Sequence, residues 1–95
     1  PVMLYHMGVP LMYERACELA RDVPNFYLST CGAYVPVMRM GYEIAGPKKI
    51  LFSSDAPFGD MGQEIAKVKY IARNEADQEI MLGKNAADML GIAYR

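Results

Sequence analysis

Residues 48–58 read KKILFSSDAPF, and this stretch decides the fold class. The apolar part, 50–52, is short, bounded by polar residues and typical of a buried strand. Two hydroxyl residues, Asp55 and a proline follow at the point where such a strand must leave the core. Because the carboxyl ends of buried parallel strands commonly carry the chemistry of α/β proteins, Asp55 is the first candidate functional residue.

Two further apolar runs resemble this one. Residues 2–5 (VMLY) are followed by His6, and residues 26–28 (FYL) are followed by Ser29 and Thr30. Segments with helical spacing of apolar residues, among them 11–21, separate the runs. Strands that alternate with helices predict a parallel sheet with right-handed crossovers, an α/β architecture.

In a parallel sheet the carboxyl ends of all strands lie at the same edge. We therefore expect His6, the Ser29-Thr30 pair and Asp55 to gather at one rim. An imidazole and a carboxylate are groups that carry protons or bind metal, so this rim is the predicted functional site.

Capping signals predict the remaining helices. Pro10 suits the first turn of the first helix, because proline lacks the N–H that would have no partner there. Asn74 is predicted to cap a later helix that ends at Gly83. Asn85 is then expected to cap a last short helix that stops at Gly91.

Composition bounds the function. Ninety-five residues, 53% of them hydrophobic, predict a single domain over 1–95. A net charge of −1 gives no electrostatic case for nucleic acid or an anionic membrane, and no apolar run approaches the length of a membrane span. Cys17 and Cys31 are expected to be reduced thiols of a cytoplasmic protein, with a disulfide as the alternative.

Four segments together resemble a known family. They are His6-Met7-Gly8, PNFYL at 24–28, ILFSSDAPF at 50–58 and GKNAA at 83–87. They are similar to the C-terminal part of the amidohydrolase-related family (amidohydrolase family 2), which includes metal-dependent hydrolases and decarboxylases. The resemblance implies a (β/α)8 TIM barrel of about 250 residues, of which this chain supplies the last three βα units.

The resemblance also implies roles for the rim. Asp55 matches the aspartate of the last strand, which binds the metal and helps to activate its water. His6 matches a histidine that acts in acid/base catalysis or polarises the substrate. A divalent metal, zinc, and a small-molecule substrate are implied. Two departures stand out: Ser53 replaces the usual glycine, and the family's other metal-binding histidines have no counterpart, because His6 is the only histidine.

Three functions are open at this point. Hydrolysis of C–N or C–O bonds in the complete barrel is the leading interpretation, and decarboxylation is the first alternative. The second alternative is a non-catalytic structural fragment that needs a partner chain, either the remainder of the barrel or further copies in a homo-oligomer. The chain begins in a strand-like run without an initiator methionine, so we expect a piece of something longer, inactive in isolation.

Each candidate also has a structural interpretation. Asp55 could cap the helix or turn that follows it, and His6 could be a hydrogen-bonded rim residue. The hydroxyls of Ser29, Thr30, Ser53 and Ser54 are expected to satisfy backbone groups at the strand ends. Asp60 could be a second catalytic carboxylate, although a helix cap near Gly62 is the preferred interpretation.

Overall fold

Three parallel strands form the centre of the protein. The computed structural model describes residues 1–57 and 59–94. The strands are β1 (Val2–Leu4), β2 (Phe26–Ser29) and β3 (Ile50–Leu51), in the order β1-β2-β3. Val2 lies opposite Phe26, and Leu28 lies opposite Ile50. The predicted parallel sheet is confirmed, although β1 ends one residue before the predicted position because Tyr5 already belongs to a 3-10 turn.

A helix follows each strand. The helices are α1 (Tyr13–Asp22), α2 (Val35–Ile44), α3 (Met61–Ile71), α4 (Glu75–Glu79) and α5 (Asn85–Leu90). A π turn, Ile80–Lys84, joins α4 to α5. Short 3-10 turns occupy Tyr5–Gly8 and Pro47–Lys49. Over the described residues, no helix combines the length and the apolar character that crossing a membrane requires.

The core lies where the helices cover the sheet. Leu28 of β2, Met38 of α2 and Ile50 of β3 are fully buried. Close packing extends to Gly41 in α2, where an added Cβ would collide with the terminal methyl of Met7. Cys17 also lies in this core, and both cysteines are buried and free, as the sequence predicted. Burial, and secondarily the charge of Glu18, raises the pKa of the Cys17 thiol, so the thiolate is disfavoured.

Two predicted helix caps are confirmed. The Asp60 carboxylate accepts a hydrogen bond from the Gln63 backbone N–H at 2.9 Å and so begins α3. Asn74 Oδ1 accepts from the Asp77 N–H at 2.8 Å and begins α4. These are ordinary N-cap contacts, in which a side-chain oxygen satisfies an N–H group that has no partner within the helix.

Two of the three predictions about the positions of Pro10, Gly83 and Gly91 at helix ends were wrong. Pro10 lies in a turn before α1, which begins only at Tyr13. The helix does not end at Gly83 but continues through it as the π turn. A Cβ at Gly83 would lie 2.8 Å from Tyr94 Cε1, so this glycine makes room for an aromatic ring. Gly91, by contrast, ends α5 as predicted, and the structure shows it in a left-handed conformation with φ 69°.

Asn85 has a role other than the predicted cap. It has helical dihedral angles, and its side chain is directed at β3 rather than at its own helix. Asn85 Nδ2 donates to the carbonyl oxygens of Ile50 and Pro47, each at 2.7 Å. The Phe52 N–H donates to the Met81 carbonyl at 3.1 Å. The outer edge of β3 is therefore hydrogen-bonded by the segment that connects α4 to α5.

The opposite edge of the sheet is open. In the part of the chain that the structure describes, β1 has β2 on one side and no strand on the other. Val2 and Tyr5 are 57% and 59% exposed at this edge. Next to it lies an apolar groove of about 530 Å³, lined among others by Leu4, Leu11 and Phe26. An unpaired edge beside an apolar groove is a site for another strand or helix.

Replacing Asn85 tests its contacts with β3. We expect Asn85→Ala to lower the free energy of unfolding by roughly 1–3 kcal/mol, because the buried Ile50 carbonyl loses its partner. The matched control is Asp88→Ala on the exposed side of α5, expected to change it by less than about 0.5 kcal/mol. Urea unfolding followed by circular dichroism measures both. Equal stabilities of the two variants would show that the Asn85 contacts contribute nothing.

Candidate functional site

His6 lies directly after β1 and contacts the turn that follows β2. Its ring atom Nδ1 lies 2.5 Å from the carbonyl oxygen of Cys31. Because a carbonyl oxygen only accepts, Nδ1 must carry the proton. In the neutral imidazole the lone pair is therefore on Nε2, which is the atom left to bind or exchange a proton. The His6 side chain is thus hydrogen-bonded, as its structural interpretation required, and still retains a basic nitrogen.

The turn 30–33 is shaped to receive this ring. The Ala33 N–H donates to the Thr30 carbonyl at 3.0 Å and closes the turn. Gly32, its third residue, has φ 66°, which only glycine adopts without strain. A Cβ at Gly32 would lie 2.5 Å from His6 Nδ1 and 2.9 Å from Cε1. The imidazole therefore rests against backbone that has no side chain.

Thr30 joins the same turn to the end of β3. The Ser53 N–H donates to Thr30 Oγ1 at 3.1 Å, and Thr30 Oγ1 donates to the Ser53 carbonyl at 3.4 Å. Thr30 is fully buried, so this pairing satisfies polar groups that water does not reach. The backbone of Ser53, the residue at the usual glycine position, takes part in this pairing.

The other hydroxyl groups also make local contacts. Ser54 Oγ accepts from the Ala56 N–H at 3.3 Å. Ser29 Oγ lies 3.4 Å from Cys31 Sγ, and both residues are buried. The prediction that Thr30 and Ser54 satisfy backbone groups is confirmed, whereas Ser29 pairs with a thiol instead.

Asp55 is exposed and has an unusual backbone. Its φ is 58°, in the left-handed region, and the Gly59 N–H donates to its carbonyl oxygen at 2.8 Å. Asp60 rather than Asp55 caps α3, so the helix-cap interpretation of Asp55 is wrong. Within residues 1–57 and 59–94 no hydrogen bond or ion pair to the Asp55 carboxylate is present.

His6 and Asp55 lie at the same end of the sheet on either side of the β2 turn. Neighbouring strands are about 4.8 Å apart, so ends two strands apart are separated by roughly 10 Å. Across the described ranges the two side chains make no hydrogen bond or ion pair with each other. The arrangement places an imidazole and an exposed carboxylate on one rim, with the turn after β2 between them.

The described residues contain too few clustered ligands for a metal ion. Among the described residues no group of three or more His, Cys, Asp or Glu side chains could hold a metal ion. Zinc sites usually take three or more protein ligands. The described residues therefore do not form a complete metal site by themselves.

Sequence reasoning missed two features of the site. Among the described residues, three that are not glycine have positive φ angles: His6, Met7 and Asp55. Such conformations cost about 1–3 kcal/mol each and cluster at functional sites. The second missed feature is Gly32, whose role depends on the nearby imidazole. A Cys-Gly pair after a strand was its only signal.

A substitution at Gly32 tests how the imidazole is held. We expect Gly32→Ala to displace the ring and break the Nδ1 contact with Cys31, because the new methyl would occupy its place. The control is Gly91→Ala, which has a similar φ of 69° but no atom within 4 Å of the added Cβ. Both variants should lose about 1–2 kcal/mol from backbone strain. Only Gly32→Ala should change the ¹⁵N shifts of His6 in long-range ¹H–¹⁵N NMR, and an identical effect of both would contradict the contact.

Comparison with known proteins places the chain in a family. The family model described as amidohydrolase matches residues 1–92. A search of curated proteins found no significant match. Among solved structures, 5-carboxyvanillate decarboxylase from Sphingomonas paucimobilis superimposes with a TM-score of 0.71 and 20% identity. The match includes 96% of this chain and 33% of the decarboxylase.

Two other decarboxylases are similar to the same degree. The 2,6-dihydroxybenzoate decarboxylase from Rhizobium gives a TM-score of 0.72 at 22% identity, with 94% of this chain covering 34% of it. A dihydroxybenzoic acid decarboxylase from Polaromonas, with bound manganese and the inhibitor 2-nitroresorcinol, gives 0.71 at 23% identity. Here 96% of this chain covers 34% of the relative.

These matches establish the fold. The chain spans about a third of the length of the solved structures that it matches. Its parallel sheet and covering helices are a partial α/β barrel, as the sequence predicted. Because the family model matches nearly the whole chain, the protein belongs to the amidohydrolase family.

Proposed function

We propose that this chain forms one side of the active site of a metal-dependent amidohydrolase-family enzyme. Asp55 is the metal ligand that it contributes, and His6 is the proton-transferring group. The observation that carries the proposal is the hydrogen-bonded rim. His6 is bound to the turn after β2, and Thr30 of that turn is bound to Ser53, two residues before Asp55.

His6 is suited to proton transfer by its tautomer. With Nδ1 donating to Cys31, Nε2 is free to accept a proton from water or substrate and to return it. The Cys31 carbonyl can accept a hydrogen bond from Nδ1–H whether or not Nε2 carries a proton, so it can hold the ring in one orientation during proton transfer.

Asp55 is suited to hold a cation because its carboxylate is exposed on the rim. A bound divalent metal polarises a substrate oxygen and lowers the pKa of its water. Zinc is the predicted ion, and manganese is the alternative suggested by the Polaromonas relative. The other ligands must come from outside this chain, since His6 is its only histidine.

Two reactions fit this site. Hydrolysis of a C–N or C–O bond, the activity implied by the family name, would use Nε2 to accept a proton from water. Decarboxylation is the second candidate, favoured by three similar structures that are named as decarboxylases of aromatic acids. There the C–C bond to the carboxyl group breaks, CO₂ leaves, and the protonated imidazole gives its proton to the carbon.

The rest of the barrel is the proposed partner. The open edge of β1 and the adjacent apolar groove are where we propose that the preceding βα unit pairs, while the β3 edge is already hydrogen-bonded. A homo-oligomer that covers the same edge is the alternative arrangement. The two buried, free thiols favour a cytoplasmic location.

Substitutions in the complete gene product test the two roles. Asp55→Asn should lower both the bound metal, measured by plasma mass spectrometry, and the turnover of 2,6-dihydroxybenzoate or of an amide substrate. His6→Asn should leave the metal content unchanged and lower kcat by about 10²–10⁴-fold, since it removes only proton transfer. Asp60→Asn, in the same loop, is the control for Asp55. Full metal content and turnover in Asp55→Asn would overturn the proposal.

The 95-residue chain alone should bind no zinc or manganese with submicromolar affinity and show no turnover above background. The reason is that one carboxylate and one imidazole are too few ligands. Isothermal titration calorimetry and the same two assays measure this. Turnover by the isolated chain that disappears in Asp55→Asn would show that the site is complete without further barrel strands.

A further inference from the structure

A buried charge pair on α3 lies close to the turn that holds His6. Glu64 is 7% exposed, and its Oε2 atom lies 2.8 Å from Lys67 Nζ. In the described part of the chain Oε2 accepts no well-aligned hydrogen bond. The lysine charge is therefore what compensates this buried carboxylate, and the two residues act as a unit.

Lys67 also makes a second contact, across to the neighbouring βα unit. Its Nζ donates to the carbonyl oxygen of Ala33 at 2.8 Å. Ala33 closes the turn 30–33 through its own N–H, bound to the Thr30 carbonyl. Lys67 thus contacts the turn at Ala33, and His6 contacts it at Cys31. Gly32 lies between these two turn residues in sequence.

Neither contact of this lysine is needed to form α3 itself. The helix begins at the Asp60 cap, and Val68 and Ile71 bury its apolar side. Lys69, two residues further along, is exposed on the same helix. Lys67 binds the carbonyl of Ala33, which belongs to the turn 30–33. The carbonyl of Cys31 in the same turn fixes the His6 tautomer.

We propose that Lys67, with its charge balanced by Glu64, is a positioning residue that holds the turn 30–33 so that the Cys31 carbonyl keeps the His6 proton on Nδ1. The proposal deepens the proposed function, since it rests on His6 Nε2 being the proton-transferring atom. It links α3, the helix that follows the Asp55 loop, to the imidazole on the far side of β2.

The test is the tautomer of His6, read by long-range ¹H–¹⁵N NMR of the 95-residue chain. His6 is the only histidine, so its ring nitrogens need no assignment among several. The spectra are recorded under alkaline conditions, in which a histidine ring is neutral. The unaltered chain should show one protonated and one unprotonated ring nitrogen, with the proton on Nδ1.

The key variant is the double substitution Glu64→Gln/Lys67→Met. It removes the Ala33 contact without leaving a buried unpaired charge, and circular dichroism verifies that it folds. We expect its two ring-nitrogen shifts to converge, as the two tautomers exchange. Glu64→Gln alone and Lys67→Arg, which keep a donor for Ala33, should retain the Nδ1–H pattern, and Lys69→Met controls for loss of a lysine from α3.

A folded double variant with an unchanged Nδ1–H pattern would overturn the proposal. The same variant in the complete gene product should lower kcat by about 10- to 100-fold with little change in KM or metal content, the size of effect typical of outer-shell residues. The two proposals fail separately. If His6→Asn retained its turnover, the proposed role of His6 in proton transfer would be wrong. The NMR result on the His6 tautomer would still stand.

Discussion

Parallel pairing of β1, β2 and β3 is the constraint on which the rest of this structure depends. Because the strands run in one direction, the chain leaves each of them at the same edge, and the segments that follow contact one another in turn. The turn 30–33 is the shared support. It binds His6 through Cys31 and Ser53 through Thr30. The two candidate groups, His6 and the Asp55 that follows Ser53, are therefore connected through this turn and not by direct contact.

The two edges of the sheet differ in how they are hydrogen-bonded in the described residues. At the β3 edge the Ile50 carbonyl and the Phe52 N–H already have partners in Asn85 and Met81. A strand that paired there would have to replace both contacts. At the β1 edge no such partner is present in the described residues, and the adjacent surface is apolar. A closed barrel pairs both edges of such a sheet, so we expect the free β1 edge to accept a strand directly and the β3 edge to accept one only by exchanging these contacts.

Sequence patterns predicted the architecture because strand and helix periodicities are local. The three strands, two of the caps and the αL position at Gly91 all depend on residues within a few positions of each other. The predictions for Asn85 and Gly83 were wrong because the roles of these residues depend on groups distant in sequence. These groups are the carbonyl of Ile50 in β3 and the Tyr94 ring. The same distinction between local and distant contacts applies to the residues of the candidate site. His6 and Asp55 could be found from their place after strands, whereas the Lys67 contact with the neighbouring unit could not.

The backbone of the rim is strained at both candidate residues, His6 and Asp55. A left-handed residue other than glycine costs about 1–2 kcal/mol, and a single hydrogen bond returns about 1 kcal/mol. His6 has the Cys31 contact, and Asp55 has the Gly59 N–H, so each strained residue is close to balance. A cation bound to Asp55 would stabilise only the folded rim, and binding free energy of this kind adds to folding stability. The metal and the rest of the barrel are therefore expected to order this edge as well as complete its chemistry.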